Sequence, residues 1–138
     1  MRFFLLATVI LSLTLLSCDK KSDTKQNNDS TTSLLNQEKP ESTVRSWQYL
    51  MDNNDFEQAK QLADDKTIEF LSEFQQYMET MPGDTIKSNS SFISLRCSEN
   101  RDKATCFAKI KDLSFQETYK DTFFLIKYKN KWLIAAND

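Results

Sequence analysis

Histidine is absent from the 138 residues. That removes His-containing triads, His-ligated metal centres and the side chain most often used as a general base near neutral pH. Glycine occurs once, as Gly83, so neither a glycine-rich phosphate loop nor a dinucleotide fingerprint can be built. No excess of one charge exists either: 18 basic side chains against 20 acidic ones leave a net charge of -2, which gives no overall attraction to nucleic acid. Cysteine is limited to three. The one long apolar run, residues 3–16, is shorter than the ~20 residues a bilayer-spanning helix needs.

What is present starts at that run. Arg2 supplies a positive residue ahead of it, and its length is that of a signal-peptide apolar region. It closes on Leu15-Leu16-Ser17-Cys18 and is followed by Asp19-Lys20-Lys21. This arrangement resembles the bacterial lipobox. The resemblance implies lipid transfer to the Cys18 thiol, cleavage before it, and an N-terminus carrying palmitate-type acyl chains. Several such chains hold stably where a single chain is reversible. The alternative is an ordinary secretory signal with an incidental cysteine. Localisation then follows as the bacterial cell envelope, lipid-anchored in the inner or outer membrane or at the cell surface. Asp19 fits either inner-membrane retention or export to the surface, depending on lineage.

Residues 19–40 are mostly Lys, Asp, Ser, Thr, Asn and Gln, with only Leu34, Leu35 and Pro40 apolar. Such a stretch buries too little to offset its ordering entropy. It reads as a tether with a root-mean-square reach of roughly 25 Å. The organisation expected is therefore 1–17 lipoprotein signal peptide, 18–40 lipidated disordered tether, and 41–138 a single domain. About a hundred residues suffice for one modest core.

Within that domain the charge is divided. Residues 41–84 hold ten acids and three bases, a net of -7; residues 85–138 hold ten bases and six acids, a net of +4. Either two solvated faces attract one another, or a basic sheet surface is turned toward anionic lipid or an acidic partner.

The acidic half has helical periodicity. Pro40-Glu41-Ser42 suits a helix start, and Val44, Trp47, Leu50 and Met51 recur at helical spacing. Asn53-Asn54 interrupts. Asp55 then caps a second helix, with Gln58 completing a capping box and Phe56, Ala59, Leu62 and Ala63 as its apolar stripe. A third helix over 65–81 carries Ile68, Leu71, Phe74, Met78 and Met81, with Glu69, Glu73 and Glu79 on its solvated side, and ends at Pro82-Gly83-Asp84.

The basic half alternates. Ile93, Leu95 and Cys97 share one face of a strand over 91–97; Cys106, Ala108 and Ile110 share one face of a strand over 105–110. A hairpin symmetric about Arg101-Asp102 places Cys97 opposite Cys106, Leu95 opposite Ala108 and Ile93 opposite Ile110. That register predicts a Cys97–Cys106 disulfide, which an export compartment permits. Two free buried thiols are the alternative. The spacing is neither Cys-x-x-Cys nor a metal-ligand set, and no metal or cofactor is expected. A last hairpin joins 122–127 to 132–134, with Asn130 suited to a positive φ.

Asn54-Asp55-Phe56-Glu57-Gln58-Ala59, together with Leu125-Ile126-Lys127 and Lys131-Trp132-Leu133-Ile134, resembles the NTF2-like superfamily, specifically DUF4878-type lipoproteins, over roughly residues 40–136. The resemblance implies an α+β fold: an NTF2-like cone with three N-terminal helices packed on a curved antiparallel sheet of about four strands. Such cones often hold a pocket and often dimerise through the sheet. Trp47, Phe74, Phe92, Phe107, Phe123 and Trp132 could line that pocket or simply form core. Enzymes of this family use an Asp or a His–Asp pair in the pocket, and no such base can be placed here. The expectation is a non-enzymatic binding or interaction module whose partners are the membrane through Cys18 and a protein or second copy through the sheet. A small-ligand binder with an aromatic pocket is the alternative, and an isomerase- or hydrolase-type enzyme a third.

Overall fold

Proline and two asparagines delimit the first helix. In the computed structural model, which describes residues 35–81 and 87–137, α1 spans Pro40–Asp52 with the proline in its first turn and Glu41 beside it. Cys18, the leader, residues 19–34 of the tether and Pro82-Gly83-Asp84 lie outside the described residues. α1 ends where Asn54 takes a φ of 58°, a conformation asparagine tolerates better than most side chains. Asp55 then caps the five-residue α2, Phe56–Lys60: its carboxylate accepts from Gln58 N (3.2 Å) and Gln58 Nε2 (2.8 Å). The reciprocal half of the capping box is not made, because Asp55 N already donates to Leu50 O at 2.9 Å. Asp64 accepts from Thr67 N (2.9 Å) and opens α3, Asp65–Thr80.

Four antiparallel strands follow in spatial order β1-β2-β3-β4: Ser90–Asn100, Lys103–Asp112, Glu117–Tyr128 and Lys131–Ala135. They are longer than the apolar alternation predicts. The polar segment 98–104 is zipped almost entirely into the first hairpin, leaving Arg101 and Asp102 as a two-residue turn with Arg101 at a φ of 56°. Polar side chains stand outward there while the backbone pairing continues, so the ladder needs no apolar residue to extend. The last hairpin turns on Lys129 and Asn130, both at positive φ, as a two-residue turn matched to strand twist requires.

Cys97 pairs with Cys106 and Leu95 with Ala108, as expected. The third expected pair is corrected. The register shifts between Phe92 and Ser94, so that Phe92, not Ile93, lies opposite Ile110. Ile93 is turned outward and is 54% exposed. One extra residue in a strand flips every side chain beyond it, and a β-bulge does this without a sequence mark.

The sulfurs of Cys97 and Cys106 lie at disulfide-bonding distance, with Cys106 fully buried. Alkylation of the native protein without reductant should leave both unlabelled; full labelling of both would refute the bridge. Reducing it should lower stability by roughly 2.5 kcal/mol, from the conformational freedom the short loop regains on unfolding.

The helices cover one face of the sheet. Val44, Trp47, Leu50, Phe56, Ala59, Leu62 and Leu71 meet Cys106, Ala108, Ile110, Phe123, Leu125, Trp132 and Ile134 in a single cluster. The outer edge of β4 is closed. Trp132 N donates to Gln37 O (3.0 Å), Ile134 N to Leu62 O (2.7 Å), and Asp64 N to Ile134 O (2.9 Å). Gln37 Nε2 also reaches Trp132 O at 3.2 Å. Contacts with the domain thus begin ahead of residue 41, with Leu35 packed against the core and Asn36 O accepting from Thr43 Oγ1.

Helices before strands, and the α+β class, stand as expected. The NTF2-like cone with a pocket at its wide end is corrected. The sheet is an open meander with helices on one side only, and large side chains fill the space between the layers.

Candidate functional site

Side chains alternate across a strand, so the sheet register sorts the basic half into two faces. Ala104, Cys106, Ala108 and Ile110 of β2 point into the core. Lys103, Thr105, Phe107, Lys109 and Lys111 therefore stand on the other face, opposite Ile126, Phe124, Thr122, Lys120 and Thr118 of β3. Arg96 of β1 joins that face beside Phe107, and Lys131 of β4 lies across from Tyr128. Among the described residues, the charged strand residues of this outer face are all basic: Arg96, Lys103, Lys109, Lys111, Lys120 and Lys131. None of the six pairs with a carboxylate among the described residues. The strand acids Glu99, Asp112, Glu117 and Asp121 fall on the opposite parity.

Lys109 and Lys120 are direct cross-strand partners, an arrangement of like charges that destabilises a sheet. They border a shallow depression of about 340 Å³ with Ser94, Arg96, Phe107 and Ala108. Phe107 is 60% exposed there. The signal for this face is visible in the sequence: 103–111 puts its lysines on one parity and its buried residues on the other.

The six candidate pocket aromatics are not brought together. Trp47, Phe123 and Trp132 are buried in the core, while Phe74 and Phe92 pack against its margin. Phe107 lies on the far side of the sheet. Strand alternation alone separates Phe107 from Phe123, so the six cannot line one cavity. Phe74 instead meets Phe56 edge-on at 5.7 Å and stacks with Phe70 at 6.3 Å.

That stacking belongs to a second surface. Phe70, Phe74, Tyr77 and Met81 recur at three- and four-residue spacing and share one stripe of α3 and its C-terminus. Phe70 is 62% exposed, Tyr77 56% and Met81 48%. Met81 belongs to the apolar stripe expected of this helix, but α3 buries only Thr67 and Leu71, both in its N-terminal half. Glu69, Glu73 and Glu79 are exposed, as expected.

Asp52 is the acid nearest to a catalytic disposition, being largely buried at the end of α1. Its carboxylate is occupied by three donors: Ser90 N at 2.8 Å, Ser90 Oγ at 3.0 Å and Gln48 Nε2 at 2.9 Å. It fastens α1 to the start of β1. Elsewhere the Lys60 ammonium, 2.8 Å from Glu57, holds that exposed carboxyl below its ordinary pKa, and Lys60 also reaches Gln75 of α3. No group of His, Cys, Asp and Glu suited to a metal occurs among the described residues. No helix among them is long and apolar enough to cross a membrane.

No family model and no curated protein matches the chain. Among solved structures it is similar to a SEC-C motif containing protein from Rhodopseudomonas palustris, at 18% identity and a TM-score of 0.51. The match covers 80% of this chain and 88% of that one. At this identity the likeness carries the fold alone. It sets the fold beside that of a SEC-C motif protein and corrects the expected NTF2-like cone. The two short motifs behind that assignment describe a helix cap and a hairpin, which many folds share.

Proposed function

We propose that the chain is a lipid-anchored bacterial envelope lipoprotein, held through Cys18, whose domain is a non-enzymatic interaction module. The apolar run, the Leu-Leu-Ser-Cys segment and the polar stretch behind it support the anchor. Buried side chains gathered in one cluster, with apolar side chains left outside, support interaction over catalysis or small-ligand capture. The single observation that carries the module reading is the stripe of exposed Phe70, Tyr77 and Met81, with half-buried Phe74 between them, on α3 and its C-terminus. Contiguous apolar surface on a soluble domain marks a docking site. Flanking Glu69 and Glu73 give that stripe an acidic border, which suits a partner with an apolar strip and basic margins.

The aromatic-pocket reading loses its geometry because its six residues are divided between core and outer face. The enzymatic reading loses its candidate base because Asp52 is spent on three structural hydrogen bonds. A photo-crosslinking residue at Tyr77 of the lipidated protein, in its own envelope, should yield one discrete adduct, whereas one at Lys39 should yield none. Absence of any adduct from both Tyr77 and Phe70 would contradict the module reading.

A further inference from the structure

We infer that the outer face of the sheet docks onto an anionic bilayer surface, that of the membrane carrying the acyl anchor. This rests on the lipoprotein reading for its geometry and on the charge pattern of the face for its chemistry.

The six cations are spread out, not convergent. From Lys103 to Lys111 the face runs roughly 27 Å along β2, and from Arg96 on β1 to Lys131 on β4 it runs roughly 15 Å across the strands. A field of that extent matches a plane of many phosphates better than one small anion. Five of the six are lysines, which act as point charges and demand no planar fork of acceptors. An array of mobile headgroups satisfies that requirement. The directly opposed Lys109 and Lys120 are the fold's own cost for this face, and an anionic surface relieves it. Phe107, exposed between Arg96 and Lys109, supplies an apolar tip at headgroup depth.

A second copy fits less well. Sheet against sheet would bring two sets of six cations together. Sheet against the acidic α3 of a neighbour is complementary in charge, but such a head-to-tail contact builds rings or open filaments instead of a closed pair. The anchor adds proximity. Leu35 follows Cys18 by seventeen residues, which keeps the domain within roughly 60 Å of the headgroups at full extension. At that effective concentration a weak attraction per lysine suffices. With the sheet laid on the bilayer, the helical layer and its α3 stripe face away from it.

The test uses the chain from residue 18 onward carrying Cys18→Ser, so that no acyl chain takes part. Cosedimentation is measured with vesicles of phosphatidylcholine alone and of phosphatidylcholine mixed equally with phosphatidylglycerol. The expected result is binding to the anionic vesicles only, weakening as salt is raised. Lys109→Gln with Lys120→Gln should weaken it by at least about tenfold, at roughly fivefold per lysine. Lys109→Arg with Lys120→Arg should retain it, and Lys39→Gln with Lys127→Gln, off the face, should change it less than about twofold. Circular dichroism confirms that each variant is folded. No binding to anionic vesicles, equal binding to both vesicle types, or equal loss in face and control variants would overturn the proposal. So would concentration-dependent self-association abolished by the Lys109/Lys120 pair, which would give the face to a second copy. None of these outcomes bears on acylation at Cys18, which fractionation tests separately.

Discussion

Cys18→Ala should move the protein from the detergent-extracted membrane fraction to the soluble envelope fraction. The effect is expected to be nearly complete because the anchor dominates every other attraction. One acyl chain alone binds a bilayer with a constant of about 10⁴ M⁻¹, and a second makes release negligible. Without them only the sheet face remains, at about 1 kcal/mol per lysine and screened by salt. An uncleaved leader could itself hold the variant in the membrane. A second form, with residue 19 onward placed behind an ordinary cleavable secretory signal, removes that route. It should be fully soluble after a high-salt wash. Extraction of this second form by detergent alone would contradict lipid anchoring through Cys18.

Trp132→Ala should be the most damaging single change in the domain. The side chain is 1% exposed in the core between sheet and helices, and Trp132 N ties β4 to Gln37. Truncating a buried tryptophan costs about 3–5 kcal/mol. Against a total of about 5–15 kcal/mol, that removes a large part of the stability. The melting temperature of a domain of this size should fall by on the order of 20 °C. Phe107→Ala deletes an aromatic ring of comparable standing in the sequence but on the outer face, and should change stability by less than about 0.5 kcal/mol. Thermal unfolding of the two variants followed by circular dichroism makes the comparison. Equal losses would contradict the division of the aromatics between core and surface.

That division shows how far residues alone reach. Pro40, Asn54 and Asp55 mark helix ends through local backbone chemistry, which needs no tertiary partner to be recognised. The Cys97–Cys106 pair was legible because a two-residue turn fixes the register near it. Four residues farther from the turn the same extrapolation failed at the bulge at Ile93, since nothing local announces an unpaired residue. The α3 stripe was hidden for another reason. Phe70 and Tyr77 are aromatic at helical spacing, as core residues are, yet both stand outside the buried set of α3, and their spacing does not announce it. The basic face was half legible: its charge excess was plain, and its parity against Cys106 was present in the spacing of Lys103, Lys109 and Lys111. The closing of the β4 edge by Gln37 and Leu62 required the fold, because sequence spacing treats Gln37 as tether and Leu62 as part of the second helix's apolar stripe, whereas that helix ends at Lys60.

The intact mass of the protein extracted from its own membrane tests the central claim most directly. The account predicts a chain beginning at Cys18, heavier than its sequence by the mass of the attached acyl and glyceryl groups, with that excess confined to the N-terminal peptide. A mass equal to the unmodified sequence from any starting residue would contradict it.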